Sequence, residues 1–160
     1  MSADAQNHWE KYSPFTNILV PIDGSDTSID AGKLAIQIAT THKIPITFMY
    51  VIDVNTASRI AQATDKTKDA VDHQLQDKGR RYLDYLSRQA KGKGLTVNQI
   101  VRHGIPHSEI ASFAREKGID LIVIGQVGRR RQVRIGYVAE RIIEYAHCPV
   151  LVVKASSNQG

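Results

Sequence analysis

The chain has 160 residues, 42% of them hydrophobic and 23% charged, with a formal net charge of +5 and a pI near 9.4. That length suits a single domain, and that composition excludes a chain disordered throughout. Apolar runs such as 121–124 and 150–153 are far too short to cross a bilayer, residues 1–12 lack the apolar stretch of a signal peptide, and the lone Cys148 cannot form an internal disulfide. A soluble, cytoplasmic protein without a membrane partner is expected.

Residues 1–14 read as a loose N-terminal segment, 15–155 as one domain and 156–160 as a short polar tail. The first strand falls at 17–23, a β-branched run that stops at Asp-Gly-Ser. Ala31, Leu34, Ala35 and Ile38 then recur at helical spacing, with Ser25 or Asp26 placed to cap the first amides. A second strand follows at 45–52, rich in β-branched and aromatic residues. From 58 to 90 the apolar positions thin to Val71, Leu75, Tyr82 and Leu86, which share one face and predict a single long helix.

Alternation at 95–102 predicts a third strand, and Pro106 suits the first position of the helix that buries Ile110, Phe113 and Ala114 and stops at Gly118. The fourth strand is 119–125. Ile135, Val138, Ala139, Ile142 and Ala146 form the stripe of a fourth helix, and 149–153 is the fifth strand. Strict alternation of strands and helices implies right-handed crossovers and a doubly wound, open parallel α/β sheet with helices on both faces. With strand order 3-2-1-4-5, a ligand crevice belongs between the carboxyl ends of the first and fourth strands.

Two segments border that crevice, residues 22–26 and 125–137. The second carries glycines at 125, 128 and 136 between a buried strand and a helix start. Gly125 and Gly128 can turn sharply and turn backbone N–H groups toward an anion, and Gly136 lets a phosphate approach the helix dipole. Arg129, Arg130, Arg131 and Arg134 add guanidinium groups suited to phosphate oxygens.

Here the sequence resembles the universal stress protein family, whose nucleotide-binding members carry Gly-x2-Gly, a spacer of nine, then Gly and Ser or Thr. The resemblance runs through Ile-Leu-Val-Pro-Ile-Asp-Gly-Ser at 18–25, Tyr-Val-Ile-Asp at 50–53, Gly-Ile-Pro at 104–106, Asp-Leu-Ile-Val-Ile-Gly at 120–125 and His-Cys-Pro-Val-Leu-Val-Val at 147–153. It implies an adenine nucleotide, ATP or AMP or cyclic AMP, with Mg²⁺ accompanying ATP. Pro21, Ile22 and Asp23 would line the adenine and ribose side, Val51 would meet the base, and Gly125, Gly128 and Gly136 would receive ribose and phosphates. Arg129, Tyr137 and Val138 complete the set beside those glycines. Two positions depart from the pattern: the spacer after Gly128 is seven residues, and Tyr137 stands where the family has a small hydroxyl. The resemblance also implies a homodimer through the last strand, 149–154, whose edge would otherwise be unpaired.

Other chemistry finds little support. The end of the third strand offers His103 and Gly104 instead of a receiver's acceptor aspartate. His103 and His107 are separated by Gly104 and Pro106, with no Cys or carboxylate to complete a metal set. His147 and Cys148 are adjacent and should diverge, so Cys148 reads as a small core residue. Neither a Gly-x4-Gly-Lys-Ser/Thr loop nor a Gly-x-Ser-x-Gly elbow occurs, so binding rather than turnover is expected, with slow hydrolysis at Asp23 the remaining enzymatic reading. The competing function is a nucleotide-free module whose arginine-rich loop docks an acidic protein or, less favoured, nucleic acid.

Overall fold

Each apolar run with β-branched character becomes a strand: β1 (Ile18–Pro21), β2 (Ile46–Asp53), β3 (Val97–Gly104), β4 (Leu121–Gly125) and β5 (Val150–Val153). The computed structural model describes residues 15–126 and 135–155. Its helices are α1 (Asp26–His42), α2 (Val54–Thr64), α3 (Lys68–Gly92), α4 (Pro106–Glu116) and α5 (Tyr137–Tyr145). All strand pairs are parallel, as the alternation of strands and helices implies, and the order is the expected β3-β2-β1-β4-β5.

The central strand has no solvent face. All four residues of β1 are buried, with Ile18 and Val20 packing among Ala31, Ala35, Leu83 and Leu86 of α1 and α3. Leu19 points the other way, toward Ile110, Phe113, Ala139 and Ile142 of α4 and α5. Alternate side chains therefore feed two apolar layers, and this is why the strand reads as a continuous hydrophobic run. Fully burying a side chain such as Phe48 contributes about 2–3 kcal/mol.

The structure divides the long helix expected at 58–90. Asp65 takes a left-handed conformation (φ 55°) that ends α2, and Thr67 restarts the chain by accepting the Ala70 N–H at 3.2 Å. Among the described residues five helices result instead of four. Helix α2 has only Ala61 buried, so no apolar stripe announces it, and it leaves β2 with no intervening turn. Asp53 makes that junction possible, because its carboxylate accepts the Asn55 N–H at 3.0 Å and the Thr56 hydroxyl at 3.1 Å. The third strand also lies two residues later than the alternation suggests, at 97–104.

What positions the site is an incomplete strand pair. β1 and β4 stay in register only through Ile18↔Leu121 and Leu19↔Ile122. β1 meanwhile pairs with β2 as far as Pro21↔Met49, and β4 with β5 as far as Gly125↔Val153. Ile22 then donates to Met49 O and Gln126 to Val153 O, each at 2.8 Å, so each chain end holds to its outer neighbour. The sheet consequently splits at its carboxyl edge, between the strands where the order reverses.

Candidate functional site

A cleft of about 300 Å³ opens at that split. Its floor is apolar, formed by Ile22, Met49, Val51, Ile110 and Ile124, while Asp23 and Asp53 bring carboxylates to its rim. Size, concavity and a few polar groups around an apolar floor are the usual features of a small-molecule site.

The loop after β1 owes its shape to Gly24, with φ +87° and a virtual Cβ 2.4 Å from the Tyr82 ring. Asp23 folds over it and accepts the Ser25 N–H at 2.8 Å. Ser25 in turn caps α1, accepting the Ser28 N–H at 3.2 Å, and Ser28 Oγ donates to Ser25 O at 2.9 Å. The local sequence thus spends its hydroxyls on backbone groups and keeps Asp23 exposed.

The sequence-derived residues divide by place. Pro21, Ile22, Asp23, Val51 and Val138 all line the cleft. Gly125 ends β4, where a Cβ would lie 2.6 Å from Thr27 Oγ1 and 2.8 Å from Ser28 N, so the glycine is required by the close approach of α1. Gly136 is the N-cap of α5, and its N–H donates to Gln126 O at 2.6 Å. Among the described residues no side chain caps α5, and Glu140 is the acidic residue of its first turn, so the first amides keep free N–H groups at the positive end of the helix dipole. Gly128 and Arg129, with Arg130, Arg131 and Arg134, lie outside the described residues.

Tyr137 is placed differently. Its side chain is 62% exposed and lines a second depression between α4 and α5, turned away from the cleft that its neighbour Val138 lines. Adjacent helical positions point about 100° apart, so one helix start serves both surfaces.

Sequence reasoning missed Asp53, Thr56 and Ile60, which line the cleft where β2 runs into α2. The available signal was Asp53 at the carboxyl end of a strand, the edge where the fold puts ligands. It also missed Pro106 and Ile110 of α4, although the Gly-Ile-Pro segment marks the same edge.

Two shifted groups are structural. Burial pushes the Asp120 carboxyl up, but hydrogen bonds from Thr16 Oγ1 and the Asn17 and Thr16 N–H groups outweigh it and hold its pKa below the ordinary value. Burial, aided by the nearby Asp120 charge, raises the pKa of the Cys148 thiol. Cys148 packs half-buried beside the α4 and α5 layer, an environment that suppresses thiolate chemistry. His103 reaches Asp72 of α3, whereas His107 sits in the first turn of α4, so the two histidines face different neighbours. Among the described residues no helix is long and apolar enough to cross a membrane.

A doubly wound sheet split between its first and fourth strands, with an apolar cleft there, defines an open α/β domain with a crevice at its topological switch point. The universal stress protein family matches residues 14–154, and the chain belongs to that family. It is similar to universal stress protein MJ0531 of Methanocaldococcus jannaschii, with 35% identity over 142 residues, covering 88% of this chain and 82% of the relative. The solved structure of protein MJ0577 of the same organism superposes with a TM-score of 0.74 at 25% identity, covering 90% of this chain and 99% of that one. A universal stress protein from Archaeoglobus fulgidus, solved in complex with dAMP, shares the fold with a TM-score of 0.66 at 22% identity, covering 88% and 98%.

Proposed function

We propose that this universal stress protein is a regulator that binds an adenine nucleotide in the cleft between β1 and β4 and signals its occupancy to a partner, binding rather than turning over its ligand. The observation that carries this reading is the split itself. It joins an apolar floor that suits a planar base, two rim carboxylates that suit ribose hydroxyls, and an uncapped helix amino end that suits a phosphate. In this arrangement Pro21, Ile22 and Val51 flank the base, Asp23 and Asp53 meet the ribose, and the first amides of α5 after Gly136 face the phosphates. Arg129 and Gly128 supply the rest of the phosphate seat, and Mg²⁺ accompanies the ligand when it is ATP. The dAMP complex of the Archaeoglobus fulgidus neighbour supports the choice of nucleotide class.

The protein also pairs with a second copy through β5 in this reading. β5 is an edge strand of the sheet and its Leu151 is 38% exposed, an unpaired ladder that a two-fold mate would cover.

Native mass spectrometry of the freshly purified protein, followed by heat release and identification of any nucleotide, tests the proposal. The expected result is a bound adenine nucleotide. AMP, cyclic AMP or ATP added at a hundred times its dissociation constant should stabilise the fold by about 2.7 kcal/mol. A protein that carries no nucleotide and shows no thermal shift with any of these ligands would refute the reading.

A further inference from the structure

A groove of about 620 Å³ lies between α4 and α5. Its walls are aromatic and cationic. Arg141 lies 5.2 Å from the Tyr137 ring centre and 5.9 Å from that of Tyr145, and the His107 ring is 5.8 Å from Tyr137 and 6.2 Å from Tyr145. Tyr137 is 62% exposed and Tyr145 50%. Tyrosine and arginine are among the side chains that most often anchor a bound segment, tyrosine because its rigid ring buries a large area at little entropic cost and arginine because its planar fork satisfies several polar groups at once. Among the described residues, His107 Nδ1 is a buried side-chain nitrogen without a hydrogen-bond partner, so this wall is short of a polar neighbour.

The chain itself arrives at the foot of this groove. Thr16 N–H donates to both Asp120 carboxylate oxygens, at 2.8 and 3.1 Å, and Asn17 Nδ2 donates to the Lys117 carbonyl at 3.3 Å. Lys117 follows Arg115 and Glu116, the groove residues at the carboxyl end of α4. The described chain therefore begins beside that end, which is where residues 1–14 are attached. They carry Trp9 and Tyr12 as aromatics and Asp4 and Glu10 as carboxylates, against Lys11 as the one lysine or arginine.

We infer that this N-terminal segment is the occupant of the groove, running from Lys117 toward His107 with Trp9 against the Tyr137 and Tyr145 rings and Glu10 on Arg141. The reach suffices. The chain from Phe15 back to Trp9 spans at most about 20 Å when extended, and α4 rises only about 12 Å between Arg115 and His107. Charge agrees in sign: Glu116 is already paired with Arg102 at 3.2 Å, Arg115 has no ion pair among the described residues, and Arg141, paired with Glu144 through Nη1 at 3.3 Å, has further guanidinium N–H groups for a second carboxylate. Tethering makes even a weak contact effective, since a short linker holds its end at an effective concentration of about a millimolar or more.

Trp9 is the sole tryptophan, so its fluorescence in the full chain reports the segment directly. The expected result is a blue-shifted emission, protected from acrylamide, that reverts to that of hydrated indole in Tyr145→Ala. Arg141→Glu and Glu10→Arg should each lower the docked-to-free ratio about tenfold, about 1.4 kcal/mol, and the two together should restore it. Both Arg141 and Tyr145 sit on the outer face of α5, and an unchanged far-ultraviolet circular dichroism spectrum would confirm that the variants fold. Hydrated, freely quenched Trp9 in the unaltered chain overturns the inference. So does protection that survives Tyr145→Ala and Arg141→Glu, which would seat the segment elsewhere, or protection that disappears on dilution, which would make a second copy the occupant. Binding of a glutamate–tyrosine copolymer to the groove with Trp9 emission unchanged would assign the groove to an outside acidic partner and likewise overturn it.

Discussion

The cleft and the groove share α4 and α5 but differ in what shapes them. The cleft exists because two strands part, and its lining is apolar with carboxylates at the rim. The groove exists because two helices lie side by side with small residues between them, Ser108, Ala111 and Ser112, and tall aromatic and cationic side chains above. One opening is made by the main chain and the other by side chains. Changes at backbone-determined positions should therefore damage the cleft together with the fold, whereas changes in the groove should leave the fold alone.

Four substitutions test that contrast. The largest effect is expected from Gly125→Val, which drives a branched side chain into the backbone of Thr27 and Ser28. It should cost about 3 kcal/mol in chemical denaturation and remove nucleotide-dependent stabilisation with it. Val51→Arg separates the two properties, because the position is half-buried at the cleft and a long cation can reach solvent. Nucleotide affinity measured by calorimetry should fall about thirtyfold, about 2 kcal/mol, while the melting temperature without ligand barely moves.

Outside both openings, just before β4, Asp120→Asn loosens the anchor of Thr16 and Asn17 and should cost about 1 kcal/mol at neutral pH. Because the folded Asp120 pKa is depressed, its contribution is complete above the unfolded carboxyl value, 3.8, and is lost as pH falls through the lower folded value. Stability of the variant and of the unaltered chain should therefore converge in that acidic window, as followed by urea denaturation at stepped pH. The smallest change is expected from Tyr137→Ser, which should alter nucleotide affinity by no more than about twofold, within the usual 0.5 kcal/mol of a surface substitution. A large gain in affinity would mean that the ring, despite facing the groove, governs the cleft.

The layout of the sheet was legible because β1 and β4 are buried on both faces and leave unbroken apolar runs, and because alternating strands and helices admit few topologies. The rule that ligands gather where strand order reverses pointed only to the segments 22–26 and 125–137; Pro21, Ile22, Asp23 and Val51 were named by the family resemblance, and the structure brings them with Val138 to one cleft. The break at Asp65 was not legible. A left-handed aspartate and a threonine cap are common in many contexts, and α2 has too few buried residues to print a periodic pattern. The direction of Tyr137 was hidden for another reason. A motif fixes which residue follows the last glycine, but the helix phase decides which surface that side chain meets, and the phase is set by Ala139 and Ile142 packing into the core. Gly125 illustrates the converse, since a glycine suited to an anion is also demanded by the first turn of α1.

The short β1–β4 register has an evolutionary corollary. Since the opening begins after Leu19 and Ile122, where main-chain pairing ends, the side chains around it can be exchanged without shifting any strand. Descendants of such a chain could acquire a new ligand, or lose the old one, while inheriting the same scaffold intact.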